Sequence, residues 1–220
     1  KCLKALYLYK EQNDNHFDFD KKYLKKIVEL DNEFLFEVLE KIFTGNDHSS
    51  SRHENYRFNF IWEFDNYEYL VEKSIKTLKD KFSLGDDVIN FLFPSSINDK
   101  VKSFLTNLIV KNHAEEEVLQ KIFNVITYSY TNERIYFLGI LLEHINNIEI
   151  IKSLELIENF KSGGSLIPFF EADKKFWIEF EKLLSNNVKF LKLKLWAQQN
   201  QISCERTIEW HRKRDFVRDY

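Results

Sequence analysis

Apolar residues recur every three or four positions through residues 114–160, with polar residues between them. This spacing places the apolar side chains on one face of an α-helix and the polar side chains on the other. Short polar breaks divide the segment into two helices and the start of a third, and Thr131-Asn132 offers a cap for the second. Because such short breaks favour antiparallel neighbours, the segment predicts a helical hairpin.

The same pattern predicts helices along most of the chain: 3–9, a hairpin over 21–43 broken at Asp31 or Asn32, 67–82, 96–110, a helix after the Gly163-Gly164-Ser165 break, and a last helix over about 188–218. No fixed motif recurs, so the repeat is one of hydrophobic pattern only. We therefore predict an all-α fold of stacked antiparallel hairpins, like HEAT, armadillo or TPR arrays. The array would cover residues 1–161, and a long helical hairpin over 162–220 would pack on it as part of one continuous unit.

Composition supports long helices, since Gly 5 and Pro 2 are few while Phe 21 is high. The net charge of −3 argues against a surface that binds phosphate backbones everywhere. Cys2 and Cys204 form no CxxC pair, and no apolar run approaches the roughly 18–20 residues of a membrane span. We expect a cytoplasmic protein with free thiols and no membrane contact. The start at Lys1, without Met, predicts a piece of a longer protein.

An aromatic run near residues 56–64 is the ambiguous part of the pattern. Tyr56, Phe58 and Trp62 belong to an alternation that has the period of a strand. We predict a helix instead, because a single strand without a partner would leave its backbone groups unpaired. These three residues are the candidate protein-binding residues, and burial between neighbouring helices is the alternative.

The residue types that perform catalysis do not occur here in known catalytic arrangements. The chain has no GxSxG elbow, no HExxH helix and no Cys-His arrangement. The acids near Asp14 lack the Gly and Glu of a calcium-binding loop, and His48 and His53 lack further ligands at zinc spacing. Gly163-Gly164-Ser165 is not a P-loop, because no strand precedes it and no Lys follows at P-loop spacing. We expect no enzyme activity, cofactor or metal in this chain, and interpret His113 and His144 as isolated surface or capping residues.

The last helix offers an alternative function, which is nucleic-acid binding. Its candidate residues are Lys192, Lys194, Arg212 and Arg214, with Trp196 and Trp210 among them. Cations interleaved with aromatic rings suit single strands, which bind by charge and by stacking. Acidic residues also lie in this helix, as on an ordinary solvated face with ion pairs.

The C-terminal half, about residues 115–218, resembles the C-terminal end of large prokaryotic STAND-type NTPases, many of them linked to antiphage defence. The resemblance rests on a hinge, an aromatic helix and a long charged helix, at positions Gly164, Ser165, Ile167, Pro168, Trp196, Ile208 and Phe216. It implies a helical-repeat region that senses a protein partner or holds another domain of its parent protein inactive. It also implies that the ATPase domain lies upstream of Lys1.

Overall fold

The computed structural model describes residues 2–13, 18, 21–43, 58–81, 92–157, 166–184 and 187–218. It divides the chain into two compact units, Lys1–Leu105 and Thr106–Tyr220. The described residues form α-helices and short 3-10 helices, with no strand among them. The all-α prediction is confirmed for this part of the chain. The division of the chain at residue 161 stays a prediction.

The first unit begins with α1 (Cys2–Asn13), α2 (Lys22–Leu30) and α3 (Glu33–Phe43). The predicted break at Asp31 and Asn32 is confirmed. Apolar positions of α2 and α3 bury one side of each helix, as their spacing requires. The residues that are 0% exposed are Leu24, Val28, Phe34, Leu35, Val38 and Leu39, and Phe36 is also buried.

Asp18 explains why α2 begins where it does. Its carboxylate accepts hydrogen bonds from the backbone N–H groups of Tyr23 and Leu24, at 2.9 and 2.8 Å. These N–H groups belong to the first turn of the helix and have no partner within it. The hydroxyl of Tyr7 donates to the same carboxylate at 3.0 Å. Asp18 therefore caps α2 and ties it to α1.

A 3-10 helix (Asn59–Glu63) precedes α4 (Tyr67–Lys81), and α5 (Asp99–Lys111) begins in this unit. Glu33 connects α3 to α4, because Lys73 Nζ donates to its two carboxylate oxygens at 2.7 and 2.5 Å and Tyr69 Oη donates at 2.8 Å. These hydrogen bonds hold the pKa of the Glu33 carboxyl below its usual value.

The second unit continues with α6 (Glu116–Ser129), α7 (Arg134–His144) and the short α8 (Glu149–Ser153). The predicted pair of helices with the start of a third is confirmed. Capping by Thr131-Asn132 is wrong: no side-chain cap precedes α7, and Thr131 lies in a 3-10 helix where its hydroxyl donates to the Thr127 carbonyl at 2.9 Å. This 3-10 helix leads directly into α7, so the start of α7 is not a separate helix end that needs a cap.

Hydrogen bonds from the side chain of Arg134 hold the start of α7 in place within the second unit. Its side chain is buried, with Nη1 donating to the Leu156 carbonyl at 2.5 Å and Nε donating to the Thr131 carbonyl at 3.0 Å. The guanidinium lies 4.7 Å from the ring centroid of Phe176. A buried charge is tolerated where its donors are satisfied and an aromatic face covers it.

A long hairpin completes the second unit, as predicted. It consists of α9 (Ile167–Leu184), a 3-10 helix (Val188–Phe190) and α10 (Leu191–Arg218). Glu181 meets Gln198 and Gln201 near the turn, while Glu171 meets Arg212 far from it. Away from the turn, the residue numbers of these partners fall in α9 while they rise in α10. The two helices are therefore antiparallel.

Glu181 is the polar centre of this hairpin. Its carboxylate accepts hydrogen bonds from Gln198 Nε2 at 2.7 Å and from Gln201 Nε2 at 2.9 Å. The bonds from Gln201 and Gln198 hold the pKa of Glu181 below its usual value. Lys189 Nζ donates to the Ile145 carbonyl at 2.6 Å, which joins the start of the second arm to the end of α7.

Among the described residues, no helix is both long enough and apolar enough to cross a membrane. Both cysteines are free, Cys2 exposed and Cys204 buried.

Candidate functional site

The outer side of α10 is the candidate functional site. The inner side packs into the hairpin through Leu193, Ala197 and Ile208, all of them buried. Leu191, Leu195 and Ile202 are instead 56%, 51% and 47% exposed. Their spacings of four and seven residues place them within about 40° of one another around the helix. We call these three residues the outer stripe.

Basic side chains flank the beginning of the outer stripe. Each residue advances about 100° around a helix, so Lys192 and Lys194 lie to either side of the stripe. Lys192 is exposed, and Lys194 is partly exposed. Leu191 and Leu195, which form the first half of the outer stripe, therefore lie between two cations.

The four candidate nucleic-acid residues do not form one strip. Lys194 and Arg212 are 18 residues apart, which is five full turns, so they share one side of α10. Lys192 and Arg214, 22 residues apart, share roughly the opposite side and are separated by about 33 Å along the helix. The four cations therefore form two pairs on opposite sides of α10, and the two members of each pair lie far apart along the helix.

The two cations near the end of α10 already have contacts within the hairpin. Arg212 Nη2 lies 2.8 Å from Glu171 Oε1. The Arg214 guanidinium lies 4.8 Å from the ring centroid of Trp210, which is 56% exposed. The other tryptophan, Trp196, is only partly exposed and meets the ring of Trp177 edge-on at 4.8 Å. Of these two candidate rings, Trp210 is the one whose face suits stacking with a base.

The aromatic candidates of the first unit are core residues instead. Phe58 is 0% exposed and Trp62 is 4% exposed, while Tyr56 lies outside the described residues. The interpretation of Phe58 and Trp62 as a surface for a protein partner is therefore wrong for this conformation. Trp62 Nε1 donates to the Leu92 carbonyl at 2.7 Å, and its ring lies 5.4 Å from the rings of Tyr67, Phe93 and Phe104.

The helix expected over this aromatic run is also corrected. The structure has one 3-10 helix at Asn59–Glu63, followed by a turn before α4 begins at Tyr67. Consecutive side chains of a 3-10 helix point about 120° apart, and Phe60, Ile61 and Trp62 are all buried, so other residues cover this helix on several sides. Lys100 Nζ donates to the Trp62 carbonyl at 3.1 Å, supplying a partner near the end of the 3-10 helix.

The perturbed titratable groups in the second unit have structural causes. Burial raises the pKa of the Cys204 thiol and also that of Tyr130. A raised pKa keeps the Cys204 thiol protonated, whereas a nucleophilic cysteine requires the thiolate. The Glu181 carboxylate, whose pKa is lowered, is engaged by two glutamines across the hairpin.

Sequence reasoning missed two features of the second unit. The outer stripe was not evident in the sequence, because α10 carries apolar residues on two sides and many charged residues as well. A period count along α10 finds both apolar sides, but it does not tell which side is exposed. The second feature is a contact between His113 and His144, whose ring centroids lie 6.1 Å apart. No local signal joins two residues that are so distant in sequence.

Comparison of the chain with protein-family models, with characterised proteins and with solved structures gave no match.

Proposed function

We propose that this chain is a non-catalytic helical scaffold that binds another protein through the outer stripe of α10. The observation that carries the proposal is the exposure of Leu191, Leu195 and Ile202 on one side of a single helix. Covering apolar surface contributes about 25 cal/mol per Å² removed from water towards association, and the entropic cost of bringing the two molecules together offsets part of this gain. A stripe of apolar side chains along a helix matches the apolar face of a second amphipathic helix.

The flanking charges define the chemistry of that partner. Lys192 and Lys194 lie on either side of the first half of the stripe, so acidic side chains beside an apolar face would complement them. Such charges set specificity and the rate of association, while the apolar contacts supply most of the affinity. The proposed partner segment is therefore an amphipathic helix with acidic flanks.

The arrangement of the array and its biological setting are part of the same proposal. We propose that the hairpins stack as in HEAT, armadillo or TPR arrays, which present extended binding surfaces. The resemblance to STAND-type NTPases supports a role as the ligand-sensing or autoinhibitory region of a larger cytoplasmic signalling or defence ATPase. The acidic helix would then belong to a protein ligand or to another domain of the parent protein.

Substitutions on the outer stripe test this proposal. Leu195→Asp places a charge in the outer stripe, and Ala172→Asp places the same charge at an exposed position of α9. We expect affinity purification of the full-length protein from its own cells to recover a partner with wild type and Ala172→Asp. Recovery should be lost with Leu195→Asp. Circular dichroism should show the same helix content in all three proteins.

Two results would contradict the proposal. One is the recovery of the same proteins with Leu195→Asp as with wild type. The other is a full-length protein that recovers no partner and stays equally active after removal of this region. Exchange of the acidic flanks of the recovered partner segment for lysines should weaken binding, and unchanged binding would refute the assigned chemistry.

Nucleic-acid binding at the end of α10 is the second candidate function. The favouring observation is the exposed side chain of Trp210 with the Arg214 guanidinium over its ring. Stacking of one base on an aromatic side chain contributes about 1–3 kcal/mol, and cations on the backbone add a salt-dependent part.

Fluorescence anisotropy with a labelled single-stranded 20-mer tests this second candidate. We expect Trp210→Ala to weaken binding about fivefold or more, because one stacking contact is lost. Tyr136→Ala, which removes another exposed aromatic ring of the second unit, is the matched control and should leave affinity unchanged. An absence of binding at low salt would rule the function out.

A further inference from the structure

His113 and His144 are brought together in the second unit although 30 residues separate them in the sequence. Their ring centroids are 6.1 Å apart and their planes are inclined by 45°. His113 follows the end of α5 at Lys111, and His144 is the last residue of α7. His144 is exposed and His113 is partly exposed, so solvent reaches the pair.

A hydrogen bond fixes the tautomer of the His113 ring. Nδ1 lies 2.8 Å from the backbone carbonyl oxygen of Val110. A carbonyl oxygen can only accept, so Nδ1 carries the hydrogen and Nε2 keeps its lone pair when the ring is neutral. Histidines that bind metals commonly donate their other ring N–H to a carbonyl or carboxylate in this way.

The spacing of the rings suits one shared metal ion. Zinc binds imidazole nitrogen at about 2 Å, so two rings on one ion have centroids about 5 to 6 Å apart. The pair also stands where two helices end, and the negative end of a helix dipole favours a cation. Small side-chain rotations at the surface would bring both rings onto the ion.

We propose that His113 and His144 form a binding site for a divalent transition-metal ion, with Zn²⁺ as the probe. Within the described ranges, no group of three or more His, Cys, Asp and Glu residues could hold a metal. Water therefore fills the remaining positions of the ion, and the site is exchangeable, unlike a closed structural zinc site. Imidazole ligands select Zn²⁺, Cu²⁺ and Ni²⁺ over Mg²⁺ and Ca²⁺.

Bound metal would fasten the turn after α5 to the end of α7. Both residues belong to the Thr106–Tyr220 unit. An ion that binds only the folded state stabilises it, and the gain grows with the concentration of the free ion. The bound ion would therefore link two segments that are distant in the sequence.

Calorimetric titration of the chain with Zn²⁺ tests the site. We expect one Zn²⁺ ion to bind wild type, and Mg²⁺ to give no binding. Because only two protein ligands hold the ion, His113→Ala or His144→Ala should each weaken binding by about tenfold or more. The double variant His113→Ala/His144→Ala should lose binding. The double variant His48→Ala/His53→Ala removes the same number of imidazoles and should bind as wild type does.

Unchanged affinity in both His113→Ala and His144→Ala would overturn the proposal, as would an equal loss in the His48→Ala/His53→Ala control. A second measurement uses the unaltered protein. Paramagnetic Co²⁺ should broaden the ring NMR signals of both His113 and His144 at substoichiometric addition. Selective broadening of other histidines alone would also refute the site.

Discussion

Trp62 in the first unit and Trp210 in the second have similar surroundings in the sequence and opposite ones in the structure. Each stands among charged and aromatic residues, and each is a candidate contact for a partner. Trp62 is 4% exposed and donates its indole N–H to a backbone carbonyl, whereas Trp210 is 56% exposed. The same residue type therefore serves the core in one region and the surface in the other.

The cation beside each ring shows what separates the two regions. Lys100 uses its ammonium to satisfy the carbonyl of Trp62 and lies 5.0 Å from the ring centroid of Tyr67. The Arg214 guanidinium lies over the exposed ring of Trp210 itself. A cation beside an aromatic ring in space is thus no evidence of a binding surface until the burial of the ring is known.

Trp62→Ala and Trp210→Ala should differ most in their effect on stability. We expect Trp62→Ala to lower the free energy of unfolding of the first unit by about 3–5 kcal/mol, because it leaves a cavity and an unpaired carbonyl. Trp210→Ala should cost less than about 1 kcal/mol. Urea unfolding followed by circular dichroism measures both. Equal losses would show that the two rings are not core and surface residues.

Arg134→Leu and Arg214→Leu compare two cations that lie over rings at nearly equal distances, 4.7 Å from Phe176 and 4.8 Å from Trp210. Arg134 is buried and donates to two carbonyls, so its loss should cost roughly 2–3 kcal/mol in unfolding free energy. The exposed Arg214 should contribute less than about 1 kcal/mol. The same urea titration applies, and a larger loss from Arg214→Leu would contradict the comparison.

Asp18→Ala should cost about 1 kcal/mol, since it removes the side chain that caps α2. Asp18→Asn is the matched control, because its side-chain carbonyl still accepts a hydrogen bond from the same N–H groups. Thermal unfolding by circular dichroism should rank wild type above Asp18→Asn, and Asp18→Asn above Asp18→Ala. Equal midpoints for the two variants would argue against capping by Asp18.

The smallest expected effect concerns pH and the hairpin that carries Trp210. Folding lowers the pKa of Glu181, so the stabilisation by its carboxylate is complete above the unfolded pKa of about 4.3 and is lost as pH falls through the lower folded value. At neutral pH we expect the free energies of unfolding of wild type and Glu181→Gln to differ by less than about 1 kcal/mol, because the group is partly exposed. This difference should shrink as the pH falls below about 4, because the protonated carboxyl resembles the amide of Gln. A difference that stays constant from neutral to acid pH would contradict this role.

Much of the fold could be predicted from hydrophobic spacing alone. The break at Asp31 and Asn32 and the long final helix are confirmed, because an amphipathic period specifies which side of a helix is buried. The prediction for the segment around Trp62 was wrong in two respects. A 3-10 helix over Asn59–Glu63 stands where a longer helix was expected, and Phe58 and Trp62 are buried rather than exposed to a partner. The burial of Trp62 depends on Leu92 and Lys100, which lie far from it in the sequence.

The candidate site could be predicted only in part. Helical geometry alone separates Lys194 and Arg212 from Lys192 and Arg214, so their division into two pairs could have been found without coordinates. The exposure of the outer stripe depends on which side of α10 packs against α9, and tertiary structure decides that. The His113–His144 contact likewise depends on where two helices end in space.

Photocrosslinking from the outer stripe tests whether this surface of α10 binds a partner. A photoreactive residue replaces Leu195 in the full-length protein in its own cells, and the same residue at the exposed position Glu179 of α9 is the control. We expect an adduct at position 195 with an amphipathic segment of another protein or of another domain, abolished by Leu191→Asp and absent from position 179. No adduct at position 195, an adduct only with a second copy of the same region, or equal adducts at both positions would contradict it.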